Sequence, residues 1–511
     1  MARPDAPHGA AGAPAAADAP AAAGAPAVPG APAALVAEPA HDPSAAAPEA
    51  GEGELRSGLR RTMASRHLVM IALGGVIGSG LFVSSGYTIS QAGPLGAVLA
   101  YVIGALVAYM VMASLGELSA KHPVAGGFHA HATRNLGPAW GFATAWLYWL
   151  CWAVALGSEF TAAGILMQRW FPGVDVWVWC LVFASLLFAM NAVSSRVFAE
   201  TEFWFSLVKV AAVVAIIVVG AATILGINPV AEAGTGGLGG FVTDEGLFPR
   251  GATGVLVTVL AVFYAFSGTE LIGVAAGEAR DPERTIPRAI RTAVIRLAVF
   301  FIGAIAVIAA LVPFETAGTD ESPFVTVLDR AGLPAGGDLM NFVIITALLS
   351  AGNSGLYSCA RMLHSLGAEG QAPRWLSRTT GRGIPLIALS LSMLGGLASL
   401  LTSVIAPGSL FLALVSIAGF AVVAVWIIIC ASHLGFRRRY RRDGGDLADL
   451  PYRAPLFPVL PIIALVLLGA SLIGVALDPA QRAALWCGVP FTLACLAWFR
   501  LRHGPGVFSP R

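Results

Sequence analysis

The chain is poor in charge. Only 12% of its 511 residues are Asp, Glu, Lys or Arg, about half of what a soluble protein of this size carries. Together with a mean hydropathy of +0.77, that shortage excludes a soluble globular domain and predicts a polytopic membrane protein. Lysine is scarcer still: there are two, Lys121 and Lys209, and Lys209 falls inside an apolar run. Six cysteines (Cys151, Cys180, Cys359, Cys430, Cys487 and Cys495) lie in or beside apolar runs, with no CxxC or Cys/His spacing. Neither a disulfide framework nor a zinc site is expected. No Walker loop, nucleophile elbow or HExxH motif occurs, so an enzyme would have no visible chemistry to run, and no cofactor is expected. His67, His129, His131, His364 and His433 sit at the margins of apolar runs without the spacing or acid partners of a metal set; they read as surface residues. Residues 1–50 take 33 positions from Ala and Pro. They show no apolar periodicity, and disorder is expected there. They also lack the basic start and apolar core of a secretory signal.

What the sequence does have is long apolar runs. Twelve spans of about twenty residues can be placed, at about 67–91, 94–116, 139–166, 175–194, 203–226, 254–277, 291–313, 339–363, 384–404, 407–431, 456–477 and 482–501. With that placement, 26 Lys and Arg residues fall on the side of the N-terminal tail and four (Arg169, Arg250, Arg330 and Arg482) on the other. The positive-inside rule then puts both termini in the cytoplasm. The run Phe436–Arg442 reads as topology-setting charge at a helix end; nucleic acid is not an expected partner. The expected division is a cytoplasmic tail at 1–55, spans 1–5 at 56–226, spans 6–10 at 227–431, two peripheral spans at 432–503 and a short tail at 504–511.

Two of the spans are broken by glycine. Five of the seven residues from 74 to 80 are Gly or Ser, including Gly78-Ser79-Gly80. The other break is Ala265-Phe-Ser-Gly-Thr-Glu270, with Gly268 at its centre. Irregular backbone at membrane depth is tolerated only where it lines a cavity or is otherwise satisfied. A pair of such breaks, each opening a block of about five spans, is the sequence pointer to a secondary transporter with its site at the repeat interface. The amides after the first break suit a carboxylate. The carbonyls at the second suit an ammonium, and Tyr264 and Phe266 add aromatic faces. The pair therefore matches an amino-acid zwitterion. Ionisable residues inside spans are costly and point to function. Lys209 in span 5 is a candidate for proton coupling. Glu159 in span 3 and Glu270 in span 6 could shuttle protons or hold a cation, and Glu270 could equally satisfy the N–H groups freed by the break. Glu117 and Glu278, at span ends, read as structural.

Residues 59–502 resemble the amino-acid permeases of the amino acid–polyamine–organocation superfamily. The likeness rests on Leu73-Gly-Gly-Val-Ile-Gly-Ser-Gly-Leu-Phe82, Phe266-Ser-Gly-Thr-Glu-Leu-Ile-Gly273, Ile286-Pro-Arg-Ala-Ile290 and Leu349-Ser-Ala-Gly-Asn-Ser-Gly-Leu-Tyr357. Ser65–Met70, Glu202–Lys209, Cys430–His433, Tyr452–Pro455 and Asp478–Gly488 are most similar to bacterial S-methylmethionine permeases; the last stretch, in a peripheral loop, reports ancestry rather than specificity. The resemblance implies an all-α fold of twelve transmembrane helices, a five-plus-five inverted repeat with broken helices 1 and 6, and proton-coupled uptake across a bacterial inner membrane. It implies that Ser79 and Gly80 face a substrate carboxylate. The carbonyls of Ile77, Tyr264 and Ser267 would face its amine. Lys209 would take the place of a sodium ion, against a span 8 hydroxyl such as Ser354. The expected partners are a small amino acid, protons and the lipid bilayer. S-methylmethionine is the first expected substrate, its sulfonium held by Phe266, Trp149 or Trp152; lysine or another basic residue, an aromatic residue or threonine is the alternative. A non-transporting amino-acid sensor is the alternative of a different class.

Overall fold

The computed structural model describes residues 75–123, 127–193, 195–228, 237–274, 282–333, 335–381 and 383–509. The Ala/Pro-rich tail, His67, Gly74 and Glu278 lie outside the described residues. Within those residues the chain is helical. The first break leaves two short pieces, α1 (Ser79–Phe82) and α2 (Ser84–Ala92). Then follow α3 (Pro94–Lys121), α4 (Phe128–Asn135), α5 (Pro138–Met167), α6 (Val176–Val193) and α7 (Ser195–Ile224). The second break separates α8 (Gly251–Ala265) from α9 (Leu271–Val274). The rest comprises α10 (Pro282–Leu311), α11 (Pro323–Arg330), α12 (Gly336–Ala368), α13 (Leu386–Gly396), α14 (Pro407–Arg442), α15 (Val459–Leu477) and α16 (Ala483–His503). Among the described residues nine helices are long and apolar enough to cross a membrane, and two shorter apolar helices begin at Val176 and Gly251. The protein is a multi-pass membrane protein. The expected twelve spans are therefore met as nine full-length ones, because the breaks and the short helices do not reach that length.

Proline and glycine set several helix starts. α3, α5 and α14 each begin with proline, whose missing N–H would be unpaired there in any case. Burial then sorts centre from periphery. Of the most apolar window of α5, 83% is buried, against 22% for the span that contains α16. α5 packs against α12, α13 and α14 and is the central post of the bundle. In a membrane, helix association relies on close packing rather than on water exclusion, so small residues mark the contacts. A Cβ at Gly395 would sit 2.3 Å from the Ala153 carbonyl oxygen, and one at Gly474 would sit 2.4 Å from that of Leu256.

One end of the bundle is closed by α11. Ser322 donates to the Phe82 carbonyl at 2.6 Å, and the Phe82 and Phe324 rings meet edge to face at 4.8 Å. Arg169 ties the same region together through Glu321, Asp329 and Asp338. At the opposite end of α3, Glu117 is fully buried and accepts from Arg437 at 2.5 and 2.7 Å and from the Ala454 N–H at 2.7 Å; His433 Nε2 lies 3.2 Å away. Glu117 thus joins α3 to α14 through charge-assisted bonds. The histidines correct the surface reading. His129 and His131 are buried because α4 packs against α5 and α14 instead of lying in solvent, His433 is buried between Glu117 and Phe457, and His364 is half-buried. Burial pushes the His131 imidazole down to about 3.

Candidate functional site

The first break sits where three helices come too close for any side chain. Ile77 and Gly78 leave the helix, and Gly78 is extended at φ −147° and ψ −150°. A Cβ at Gly78 would lie 2.8 Å from Glu159 Oε1 and 3.0 Å from Ala351 Cβ; one at Gly80 would lie 2.6 Å from Ala265 Cα. Glycine therefore lets α5, α12 and the end of α8 reach the unwound backbone. The two breaks also touch each other. Gly268, at φ +96°, would place a Cβ 3.1 Å from Val76 and 3.3 Å from the Gly75 backbone, so a side chain there meets both a steric and a conformational obstacle.

The amide that the break frees is already in use. The Ser79 N–H donates to both Glu159 oxygens at 3.2 and 3.1 Å, and Ser79 Oγ donates to Oε1 at 2.8 Å. Tyr264 OH lies 3.3 Å from Ser79 Oγ, 3.4 Å from Glu159 Oε1 and 2.9 Å from Ser158 Oγ. Glu159, brought in from α5, thus occupies the position in which sequence reasoning put a substrate carboxylate. Taking a carboxylate out of water costs several kcal/mol unless hydrogen bonds offset it, and this site supplies them. Lys209 is buried on α7, which packs against α12.

The second break satisfies itself. Helix α8 stops at Ala265, and the Gly268 N–H donates to Glu270 Oε1 at 2.9 Å. Trp426 Nε1, from α14, donates to Oε2 at 3.3 Å. The Tyr264 carbonyl, expected to face an amine, accepts from the Ser267 N–H at 3.0 Å. Phe266 turns away from the first break and packs on Phe301 at 4.9 Å and Tyr101 at 6.3 Å.

The structure therefore brings Ser79, Glu159 and Tyr264 into one cluster, with Gly78 and Gly80 as its floor and Ile77 buried beside it. Glu270 and Gly268 form a second cluster. Ser354 is buried on α12, where its carbonyl accepts from Ser358 at 2.8 Å. Of the two candidate tryptophans, both on α5, Trp152 lies against Gly355 of α12, whereas Trp149 points its N–H to Ser392 of α13 at 3.1 Å. Sequence reasoning did not single out Ser158, Tyr101 or Trp426. The Ser158-Glu159 pair in an otherwise apolar run was a usable signal. Tyr101, which donates to the Gly80 carbonyl at 3.3 Å, and Trp426 gave none.

Such a cluster can hold, release and re-form a bond to a carboxylate at a backbone amide, which is the elementary step of carrying an amino acid. The amino acid permease family matches residues 67–503. The chain is 50% identical over 444 residues to the amino-acid permease RocC of Bacillus subtilis (strain 168), covering 87% of this chain and 94% of that protein. It is 52% identical over 448 residues to a putative histidine permease of the same organism, again covering 87% and 94%. Against the lysine-specific permease LysP of Escherichia coli (strain K12) it is 40% identical over 459 residues, covering 86% and 93%. The family is thus the one expected from the sequence, whereas none of these three relatives is named for S-methylmethionine, the narrower resemblance. The chain belongs to the amino acid permease family.

Proposed function

We propose that the protein is a proton-coupled transporter of amino acids with a cationic side chain, built as twelve spans in a five-plus-five inverted repeat with both termini in the cytoplasm. The observation that carries this reading is the Glu159 carboxylate bonded to the Ser79 N–H and hydroxyl at the first break. A substrate α-carboxylate that takes over the Ser79 N–H displaces Glu159. The displaced carboxylate then needs a positive partner, and a proton or the substrate's own cationic side chain supplies it. Lys209, buried on α7, is the second titratable group of this reading: a proton passed between it and Glu159 leaves either an opposite-charge pair or two neutral groups, never two like charges. A cationic substrate also gains about 2.3 kcal/mol per 100 mV of inside-negative potential.

Relatives named for histidine and for lysine support this substrate class. S-methylmethionine carries a fixed positive charge and stays within it. The test is uptake of radiolabelled lysine and histidine into proteoliposomes, with all twenty amino acids and S-methylmethionine as competitors, with and without a pH gradient. The reading predicts that lysine, arginine, histidine or S-methylmethionine competes best and that an acid-outside gradient accelerates uptake. Competition led by an aromatic or small neutral amino acid, or uptake indifferent to the gradient, contradicts it. A substrate that binds but is never concentrated would point to a sensor instead.

A further inference from the structure

The turn between α15 and α16, two of the more exposed spans, reaches the half-helices α2 and α8. Gln481 is 1% exposed. Its side-chain NH2 shares its hydrogens among three acceptors in reach, the Val257 carbonyl of α8 at 2.6 Å, Tyr87 OH of α2 at 3.0 Å and Asp478 Oδ2 at 2.9 Å, while its Oε1 is buried without a hydrogen-bond partner. Tyr87 OH in turn donates to Asp478 Oδ2, while Asp478 Oδ1 caps the turn through the Ala480 N–H at 3.0 Å. One helix turn away, the Gly474 contact seats α15 directly on the backbone of α8. Withdrawing the turn would leave the Gln481 NH2 and the Tyr87 hydroxyl without these partners, each at the cost of its desolvation.

Helices α2 and α8 are the two half-helices that lead away from the breaks. We infer that Asp478 and Gln481 are positioning residues for transport: they clamp α2 to α8 and hold that end of the site closed, and loosening the clamp lets that end open. A peripheral pair of spans is thereby assigned a part in the transport cycle, not only in anchoring. The inference rests on the transporter reading, but its test does not need a substrate.

Ser85, on α2, is fully buried with an unpartnered hydroxyl, so Ser85→Cys changes little. Cys487 is the exposed cysteine among the described residues and is replaced by Ser in the same protein. In proteoliposomes, the rate of labelling by a membrane-impermeant maleimide is compared among this protein, its Gln481→Leu and Tyr87→Phe derivatives, and the double variant. Losing one or two bonds of about 0.5–1.5 kcal/mol each corresponds to a labelling rate about fivefold higher. The double variant should label no faster than the faster single one, since both substitutions release the same clamp. Trp486→Leu, on the exposed face of α16, should leave the rate unchanged. If labelling of folded protein is unchanged in both single variants while their melting temperature falls, the turn is only structural and the inference is overturned. Tyr87→Phe removes a single hydroxyl, so it decides the matter if Gln481→Leu does not fold. If the wild-type chain takes up no amino acid while the variants still label faster, the transporter reading fails and the clamp stands.

Discussion

The two breaks look alike in sequence and are held together in opposite ways. At the second, Glu270 lies two residues beyond the amide it satisfies and is fixed by Trp426. At the first, the carboxylate comes from Glu159, eighty residues along the chain. A local partner moves with its own backbone and has nowhere else to go. A partner on another helix can be exchanged for a group of the same chemistry. On the function proposed here, the first break is the place where a ligand carboxylate would enter, and the second is a structural joint.

The largest effect that could break this contrast is expected from Glu159→Gln. Gln keeps an oxygen for Ser79 but can neither carry the charge nor take the proton that the proposed exchange needs, so uptake of lysine or histidine should fall at least about thirtyfold, equivalent to about 2 kcal/mol; a loss no greater than that of Glu270→Gln would erase the distinction between the breaks. Next comes Gly80→Ala, whose methyl would meet Ala265 Cα at 2.6 Å. Backbone cannot give way as a side chain can, and overpacking of this kind costs about 1–3 kcal/mol; the check is a lower melting temperature together with lost uptake. Glu270→Gln keeps an oxygen for the Gly268 N–H, so about 1 kcal/mol of stability should be lost. The order in which substrates compete should not change, as the uptake panel would show. The smallest effect belongs to Ser79→Ala. It removes the hydroxyl bond to Glu159 but keeps the backbone amide, and a rise of about fivefold in KM with kcat little changed corresponds to one hydrogen bond of about 1 kcal/mol.

Much of the architecture was legible in the sequence, because apolar length and glycine clusters are local signals. The breaks lie at the glycines, and Ser79, Gly80, Tyr264 and Gly268 are found at them. Direction was not legible. Phe266 follows Tyr264 by two residues, yet it faces Tyr101 and Phe301 while Tyr264 faces Glu159. In an apolar span, hydrophobic periodicity does not tell an inward face from an outward one. Long-range pairings were equally hidden: nothing near Ser79 announces Glu159, and nothing near Asp478 announces Tyr87. The histidines show the same limit, since a polar residue at a span margin reads as exposed until a helix such as α4 is seen folded beneath it.

The central claim is that the Glu159 carboxylate leaves Ser79 when substrate arrives. Infrared difference spectroscopy of carboxyl bands on adding lysine or histidine, in the wild type and in Glu159→Gln and Glu270→Gln, tests it most directly. The account predicts a carboxyl difference band on binding that disappears in Glu159→Gln and persists in Glu270→Gln. A band that persists in Glu159→Gln and disappears in Glu270→Gln would contradict it.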